Sequence, residues 1–589
     1  MKCFLASVVV GLVLFSGLIS AWQVDFNEDQ KLAQWFDRFL EEEFQRRPLD
    51  ATRLGDHRWD HLLEVPSKEN QADWNKQSKV SRETLNKAID PSKLSKSGLV
   101  DFKIIQEYFD RNEWLYANSK PYVEDPRIYS EYISDALFLP LTQSTISEKV
   151  IVEKLAERVK KVPSVLAAAM KNIHQPHEPH LKTAISQNKG SIRFYKSGIG
   201  DFVKNADSKK FLLDETNKVI PNLEAYQDFL EKVKPNPEKE SWRVGKKKFC
   251  EKLVSELMTD ISADELYSSA LADIELVTNE MYVIARQLWS KLFPATPFPA
   301  DTVANRAMVI RRVLEKLADN SGKPDELLSD TKKGVEQIRK FIEKANILDL
   351  PKPDRCQIVE MPEFQRGNSV AYLNNAPPLD SKASSIYAIS PPPSNWDEQT
   401  SLSFMREYNR YMLQILTIHE AYPGHYVQLE YSNRHPSKIR RVLSSGVFAE
   451  GWAVYCEKMM LDEGYGEQDL ALRLHQLKWY LRAIANSVLD HEMHCKNMTD
   501  EQAMTLLVEK AFQTKGEALG KIIRAKQSSC QLSTYYAGAL FFKKLRTQIQ
   551  DKMGNQFKLN EYHHAVLNHG TMPLKFLSAL VFDQLNLSN

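Results

Sequence analysis

Two histidines and a glutamate near residue 420 are of the residue types that bind and use zinc in hydrolases. His419 and His425 can bind the ion through neutral imidazoles, and Glu420 can act as the base beside its bound water. The common separation of the two histidines is about four residues. Here it is six, which in a regular helix turns the two side chains about 120° apart. Because Pro423 and Gly424 interrupt the helix, we predict a bulge that returns His425 to the ion.

A third ligand is expected further along the chain, since catalytic zinc sites commonly use three protein ligands. The segment 446–463 has a helical pattern, and Glu450 lies in it between Val447 and Trp452. This apolar setting predicts a buried carboxylate, and a buried carboxylate needs a positive partner. We therefore predict Glu450 as the third ligand. A salt bridge to a core arginine is the alternative, and Glu457, two turns further on, is the competing ligand.

Polar residues downstream are candidates for supporting the reaction. The helical segment that begins at Arg482 carries Asp490 and His494. We predict that Arg482 and Asp490 support the site, with Asp490 orienting a ligand histidine, and that His494 donates a hydrogen bond to a developing oxyanion. Tyr535 and Tyr536 follow, and a tyrosine hydroxyl can polarise a carbonyl at the metal. By spacing alone, both tyrosines also fit ordinary core packing.

Other clusters of metal-binding residue types are less suited to zinc. The segment 491–494 holds two histidines and a glutamate, but three-residue spacing and the lack of a third ligand argue against a second site. Three histidines between 174 and 180 lie in a proline-containing loop, for which weak metal binding is the less favoured interpretation. Cys456 and Cys495 lie near the motifs, and we expect packing or a disulfide bond rather than metal binding.

These candidates lie in a chain whose apolar residues mostly follow helical spacing from about residue 27 to the C-terminus. By this pattern the segment 405–419 is one amphipathic helix that leads into the zinc motif. Short strand-like runs are the exception, at 356–359, 369–373 and 385–389. We predict a mainly α-helical fold with a small β element just before the zinc motif.

Composition and charge are those of an ordinary globular protein. The chain has 589 residues, of which 43% are hydrophobic and 26% charged, and its formal net charge is +1. A balance this close to neutral gives no general attraction to nucleic acid or acidic membranes. We therefore expect no nucleic-acid partner.

The N-terminus predicts a secreted protein. Residues 1–21 combine a basic start, an uncharged apolar stretch and a small residue before Trp22, which is the pattern of a cleaved signal peptide. A retained signal anchor is the alternative, and no later stretch looks able to span a membrane.

Asn497 and Asn586 begin N-glycosylation acceptor patterns. The cysteines beyond the signal are odd in number, so they form no disulfide scaffold and their pairing stays open.

Several segments together resemble the domain-of-unknown-function 885 (DUF885) family. Residues 419–425 resemble its His-Glu-Gly-x-Pro-Gly-His block, and residues 448–455 resemble its Phe-x-Glu-Gly-Trp-Ala-Leu-Tyr block. The segments 482–494 and 531–538 are similar to its Arg-Ala…Asp-Thr-Gly-x-His and Gln-Ala-Leu-Ser-Tyr-Lys-x-Gly blocks. Their joint occurrence across nearly all of the mature chain is specific, whereas each block alone is not.

The chain departs from the family pattern at four places. Ala421 replaces the usual glycine, and Tyr426 replaces a frequent second histidine. Residues 491–492 replace Thr-Gly, and residues 529–530 replace Pro-Gly. None of these changes removes a predicted ligand, although the last two are expected to alter the substrate pocket.

The resemblance implies a gluzincin-like zinc metallopeptidase with an HExxPGH motif. It implies a large helical fold of two halves around a deep cleft, with the β element at the rim. The halves, about 22–350 and about 351–589, would form a single catalytic unit. The resemblance also places Tyr535 on the family's tyrosine, where it would stabilise an oxyanion together with His494.

The expectation from the sequence is a secreted zinc-dependent hydrolase that cleaves short peptides. One Zn²⁺ ion would be held by His419, His425 and Glu450, while Glu420 would take a proton from the zinc-bound water and pass it to the leaving amine. A non-catalytic binding protein that retains the fold is one alternative. A zinc amidase or esterase that acts on a non-peptide is another. The scissile bond and the oligomeric state stay open.

Overall fold

The computed structural model describes residues 27–361 and 370–587. Helices make up 71% of the described residues and strands 3%, which confirms the prediction of a mainly α-helical fold with a small β element. The predicted signal peptide, residues 1–21, lies outside the described residues. None of the described helices is long and apolar enough to cross a membrane.

Up to residue 344 the described chain is a succession of α-helices joined by loops and short 3₁₀ turns. Several helices begin at a side-chain cap. Asn27 and Ser262 each accept a hydrogen bond from the backbone N–H three residues on, and the side chain of that residue bonds back to the cap. These helices are α1 (Glu28–Arg46), α2 (Pro48–Leu54), α3 (Lys68–Ala88), α4 (Lys96–Asn118), α5 (Pro121–Glu124), α6 (Arg127–Gln143), α7 (Glu148–Val159), α8 (Val162–Asn172), α9 (Glu178–Lys196), α10 (Ala206–Asn217), α11 (Ile220–Lys232), α12 (Gly245–Leu257), α13 (Ala263–Leu292), α14 (Val303–Leu317) and α15 (Leu327–Lys344).

A three-stranded sheet follows, as the sequence predicted. Its strands are β1 (Cys356–Glu360), β2 (Ala371–Asn374) and β3 (Ser385–Ile389). The strand order is β1-β3-β2, with β1 parallel and β2 antiparallel to the central β3. The hydroxyl of Tyr387 on β3 lies 3.1 Å from that of Thr417, so the sheet packs against the helix that carries the predicted zinc motif.

Helices resume after the sheet and continue to the end of the described chain, with one π-helical segment at Thr505–Lys510. They are α16 (Glu398–Glu407), α17 (Arg410–Glu420), α18 (His425–Asn433), α19 (Lys438–Val442), α20 (Gly446–Asp462), α21 (Leu470–Cys495), α22 (Asp500–Met504), α23 (Lys515–Gln527), α24 (Thr534–Met553), α25 (Leu559–Leu567) and α26 (Leu574–Gln584).

The predicted single helix over 405–419 is wrong, because the structure divides this segment into α16 and α17. Asn409 lies between the two helices and caps the second, since its Oδ1 accepts hydrogen bonds from the backbone N–H groups of Tyr411 and Met412 at 3.0 and 3.2 Å. Asparagine is a favoured N-cap residue because its side chain satisfies these otherwise unpaired donors. The apolar stripe continues across the break, which explains why periodicity alone joined the two helices.

Buried apolar residues form two large clusters. One is built from α2 and from α6 to α11, with its members between Leu49 and Leu230. The other takes in α1, α3, α4, the sheet and the helices from α12 onward. The resemblance implies two halves that meet at about residue 350, and this division stays a prediction. The N-terminal helices α1, α3 and α4 share one cluster with the sheet and the helices from α12 onward.

The helices α20 and α24 pack at backbone contact through two glycines. A methyl group built on Gly451 would overlap the backbone of Gly538, and one on Gly538 would overlap the carbonyl oxygen of Val447. Only glycine permits such a close approach of two helices. This contact places Glu450, which precedes one glycine, near Tyr535, which lies at the start of α24.

Candidate metal centre

The predicted zinc motif lies at a break between two helices rather than at a bulge within one, which corrects the sequence prediction. The helix α17 ends at Glu420 and α18 begins at His425. The carbonyl oxygen of Pro423, between them, accepts a hydrogen bond from the indole of Trp452 at 2.9 Å. A methyl group on Gly424 would overlap the carbonyl oxygen of His419, so the turn requires glycine. The break thus absorbs the two extra residues, and α20, which carries Trp452, holds it in place.

The result is that His419, His425 and Glu450 come together. One ligand atom from each lies within 4.8 Å of the others, and this is the only such group of at least three metal-binding side chains within the described residues. Nε2 of His419 is 3.6 Å and Nε2 of His425 is 3.5 Å from Oε2 of Glu450. The two imidazole rings are 4.7 Å apart and nearly perpendicular.

These distances suit a shared cation. Ligand atoms about 2.0–2.1 Å from a tetrahedral zinc ion lie roughly 3.4 Å from one another, close to the two distances measured from Glu450. The same distances are long for hydrogen bonds. The Oε2 atom of Glu450 is buried and has no hydrogen-bond partner among the described residues, although the side chain as a whole is 28% exposed. The predicted alternative, a salt bridge to a core arginine, is absent from the described contacts of Glu450.

Glu457, the predicted competing ligand, lies behind His419 and orients it. Its Oε1 is 2.7 Å from Nδ1 of His419, and its side chain is fully buried. This contact leaves Nε2 of His419 directed at Glu450, which is the usual arrangement of a carboxylate behind a ligand histidine. Burial lowers the pKa of His419, but Glu450 and Glu457 outweigh it and raise that pKa to about 10. Burial raises the pKa of Glu457.

Glu420 faces the cavity from the end of α17. Its Oε2 accepts a hydrogen bond from the backbone N–H of Leu373 on β2 at 3.2 Å, so the sheet fixes the position of this carboxylate. The cavity of about 280 Å³ is lined by His419 and Glu420 and by side chains of α20, α21, α23 and α24. The sheet therefore contributes to the site by positioning the predicted base.

Two predicted residues lie away from the cavity, and their predicted roles are corrected. Nε2 of His494 is 3.0 Å from the carbonyl oxygens of both Ala525 and Ser528, and its Nδ1 accepts from the N–H of Val244. Both ring nitrogens are thus occupied, so His494 holds the end of α23 and has no donor for an oxyanion.

Asp490 contacts no ligand histidine. Its carboxylate accepts hydrogen bonds from the N–H groups of Cys530 and Ser533 at 3.1 Å and from the Ser533 hydroxyl at 2.8 Å. It therefore fixes the turn that leads into α24. Through that turn it acts as a positioning residue for Tyr535, and Glu457 takes the orienting role that the sequence analysis gave to Asp490.

Tyr535 and Arg482 do line the cavity. The Tyr535 hydroxyl accepts a hydrogen bond from Arg524 at 3.2 Å, and burial raises the pKa of Tyr535 to about 12, so it stays a protonated phenol at neutral pH. Arg482 pairs with Glu517 at 3.0 Å and lies over the ring of Trp479.

Lys521 and Arg524 also line the cavity, although the sequence did not single them out. Glu517, Lys521 and Arg524 are separated by four and three residues, the spacing of one helix face. This spacing could have indicated that the three side chains lie together. It did not show that they line a cavity, because a charged helix face exposed to solvent has the same spacing.

The remaining candidates show no metal site within the described residues. His177, in the loop that precedes α9, has its Nδ1 2.8 Å from the hydroxyl of Ser241. Cys456 and Cys495 are free thiols, as are the other cysteines of the described chain. Asn497 is exposed, as a glycosylation site requires, and Asn586 is also exposed although its acceptor pattern ends at Ser588, outside the described residues. A larger cavity of about 730 Å³ beside α6 and α9 holds none of the three ligands.

Comparison with known proteins places the chain in a family. A solved structure from Shewanella oneidensis, described as "a putative lipoprotein of unknown function", is 29% identical with a TM-score of 0.78, over 94% of this chain and 99% of that one. A similarly described protein from Colwellia psychrerythraea shares the fold at 18% identity and a TM-score of 0.77, over 95% and 99%. No curated protein matches. The family described as "Bacterial protein of unknown function (DUF885)" matches residues 48–581, and the chain belongs to that family.

Proposed function

We propose that this protein is a zinc-dependent hydrolase that cleaves amide bonds in short peptides. The observation that carries the proposal is the convergence of His419, His425 and Glu450, whose buried Oε2 lacks a hydrogen-bond partner among the described residues. Two imidazoles and one carboxylate are a ligand set that catalytic zinc sites use.

A zinc ion held there would supply Lewis-acid chemistry and lower the pKa of water toward neutrality. The residues around the ion have separate roles in the reaction. Glu457 holds His419 in the tautomer that presents Nε2. Glu420 accepts a proton from water and delivers it to the leaving amine, so that the C–N bond breaks and a carboxylic acid and an amine are formed. Tyr535, as a protonated phenol, donates a hydrogen bond to the carbonyl oxygen of the scissile bond.

The size of the cavity favours small substrates. Its volume of about 280 Å³ is at the lower limit of small-molecule sites, which are roughly 300–1,000 Å³. Such a space suits a short peptide or a chain end better than a segment of a folded protein. A zinc amidase or esterase would use the same residues.

We further propose that the protein is exported. The predicted signal peptide and the lipoprotein description of the two structural relatives support this location.

The test is zinc content and hydrolysis in matched variants. The mature wild type is expected to bind about one zinc ion and to cleave members of a short-peptide library. The variant Glu420→Gln should keep its zinc but lose activity by a factor on the order of 10² to 10⁴, because it removes the general base. Glu467→Gln, at an exposed loop position, is the control and should behave as the wild type.

Two results would count against the proposal. The first is a wild type that holds no zinc under zinc-replete conditions. The second is a zinc-loaded wild type that binds peptides without cleaving them, which would favour the non-catalytic binding protein. Cleavage of esters or non-peptide amides alone would instead assign the same site to an amidase or esterase.

A further inference from the structure

One wall of the candidate metal cavity carries three basic side chains. Arg482 on α21 and Lys521 and Arg524 on α23 line the same cavity as His419 and Glu420. Lys521 and Arg524 are three residues apart and so lie on one face of their helix. Two adjacent helices thus direct cationic side chains toward the space beside the ligands.

Only part of this positive charge is neutralised by the protein. Arg482 pairs with Glu517 at 3.0 Å. Arg524 donates to the neutral hydroxyl of Tyr535, and the side chain of Lys521, which lies within α23, makes no hydrogen bond or ion pair with any described residue. The cavity wall therefore carries two basic side chains that form no ion pair with a carboxylate of the described residues.

Of these two residues, Lys521 is the stronger indication of a bound anion, because its side chain is buried. Only 7% of its surface is exposed, and a buried ammonium is costly unless an anion accompanies it. Burial and the neighbouring Arg482 and Arg524 lower its pKa well below the usual value, and the charges of Glu517 and Glu450 offset this lowering only in part. The carboxylates nearest the site have other roles, since Glu420 bonds to the backbone of β2 and Glu450 lies between the two ligand histidines.

A substrate carboxylate would supply the missing negative charge. A carboxylate can accept hydrogen bonds from both an ammonium and a guanidinium, and such charge-assisted bonds are stronger than neutral ones. A bound zinc ion would make the cavity still more positive, which favours an anion over a neutral group.

We propose that Lys521 and Arg524 form a subsite that binds a carboxylate of the substrate beside the metal ligands. The proposal rests on the proposed function and specifies its substrate class as anionic peptides. The carboxylate comes either from the C-terminus, which would make the protein a carboxypeptidase, or from an acidic side chain.

The experiment measures peptide binding and does not depend on turnover. Calorimetry with the zinc-loaded Glu420→Gln protein compares three probes of similar size. They are N-acetyl-trialanine with a free carboxyl group, the same peptide as its C-terminal amide, and N-acetyl-Ala-Ala-Asp amide. We expect one of the two anionic peptides to bind tighter than the neutral amide by about tenfold or more, because it gains charge-assisted hydrogen bonds. A preference for the free acid assigns the C-terminus, and one for the aspartyl amide assigns the side chain.

Matched variants attribute the preference to the subsite. Adding Lys521→Met should abolish it and leave the affinity for the neutral amide unchanged. Lys515→Met, at an exposed lysine of the same helix, should keep it. Because Lys521→Met removes a buried basic group that has no ion-pair partner, its thermal unfolding midpoint should be at or above that of its parent. Arg524→Gln is a second variant and should weaken the same preference.

Equal binding of all three peptides, or an anion preference that persists in Lys521→Met, would overturn the inference. The second outcome would assign anion binding to the metal instead. If the proposed function is wrong, the experiments give a different result from the two above. If the subsite exists but the protein is not a hydrolase, the binding preference remains in the chelated, metal-free protein while the wild type cleaves nothing.

Discussion

At the residue scale, the best-defined contact of the site is the one between Glu457 and His419. By sequence, Glu457 is a competing ligand because it shares a helix face with Glu450. The structure distinguishes them by atom, since Glu457 contacts Nδ1 of His419 while Glu450 lies near Nε2 of both histidines. Sequence spacing shows that two residues share a helix face, but it does not show which ring nitrogen of a histidine each of them contacts.

The orienting role of Glu457 makes a prediction about metal affinity. Glu457→Gln keeps the shape of the side chain but removes the negative charge that stabilises His419 as a ligand. Loss of such a contact typically weakens metal binding by about 10- to 100-fold. Competition for zinc with a chelating indicator measures this change, and Glu467→Gln is the exposed control. An affinity equal to that of the wild type would show that Glu457 is only a packing residue.

Asp490 and His494 were assigned the wrong roles for the same reason, since sequence spacing does not show which atoms a side chain contacts. Asp490 and His494 are polar, helical and close in sequence to the cavity-lining part of α21, so their types fitted a catalytic role. Their hydrogen bonds go instead to the backbone at the end of α23 and before α24. Which polar group satisfies which distant backbone atom depends on packing between helices, and periodicity carries no information about it.

At the element scale, the site depends on the break between α17 and α18. The sequence indicated that Pro423 and Gly424 must interrupt the helix, and this was correct. The form of the interruption, two separate helices held by Trp452 of α20, required the tertiary contact. The same applies to Asn409, whose capping role divides a segment that periodicity joined.

The turn makes a prediction for Gly424→Ala. Because the added methyl group would overlap the carbonyl oxygen of His419, the loop must shift and His425 must move away from His419. We expect loss of stoichiometric zinc binding together with a lower thermal unfolding midpoint. Gly334→Ala, within α15 and with open space around it, is the control. Replacing glycine by alanine in a helix should there raise the stability by up to about 1 kcal/mol. Normal zinc binding by Gly424→Ala would contradict the proposed geometry.

At the scale of the whole molecule, the fold class and the strands were predictable from the sequence. Helical periodicity and three short β-like runs identify local structure directly, and the structure confirms both. Which distant helices pack against one another was not predictable in the same way. The helices α1, α3 and α4 share a core with the C-terminal helices, because an amphipathic stripe shows that a face is buried but not which face covers it.

The central claim is that one metal ion is bound by two helices on either side of a break and by a third helix, α20. Anomalous X-ray scattering at the zinc absorption edge, from crystals of the mature protein grown with zinc, tests it most directly. The account predicts a single strong peak within coordination distance of Nε2 of His419, Nε2 of His425 and Oε2 of Glu450. No peak at that position, or a peak only elsewhere on the protein, would contradict it.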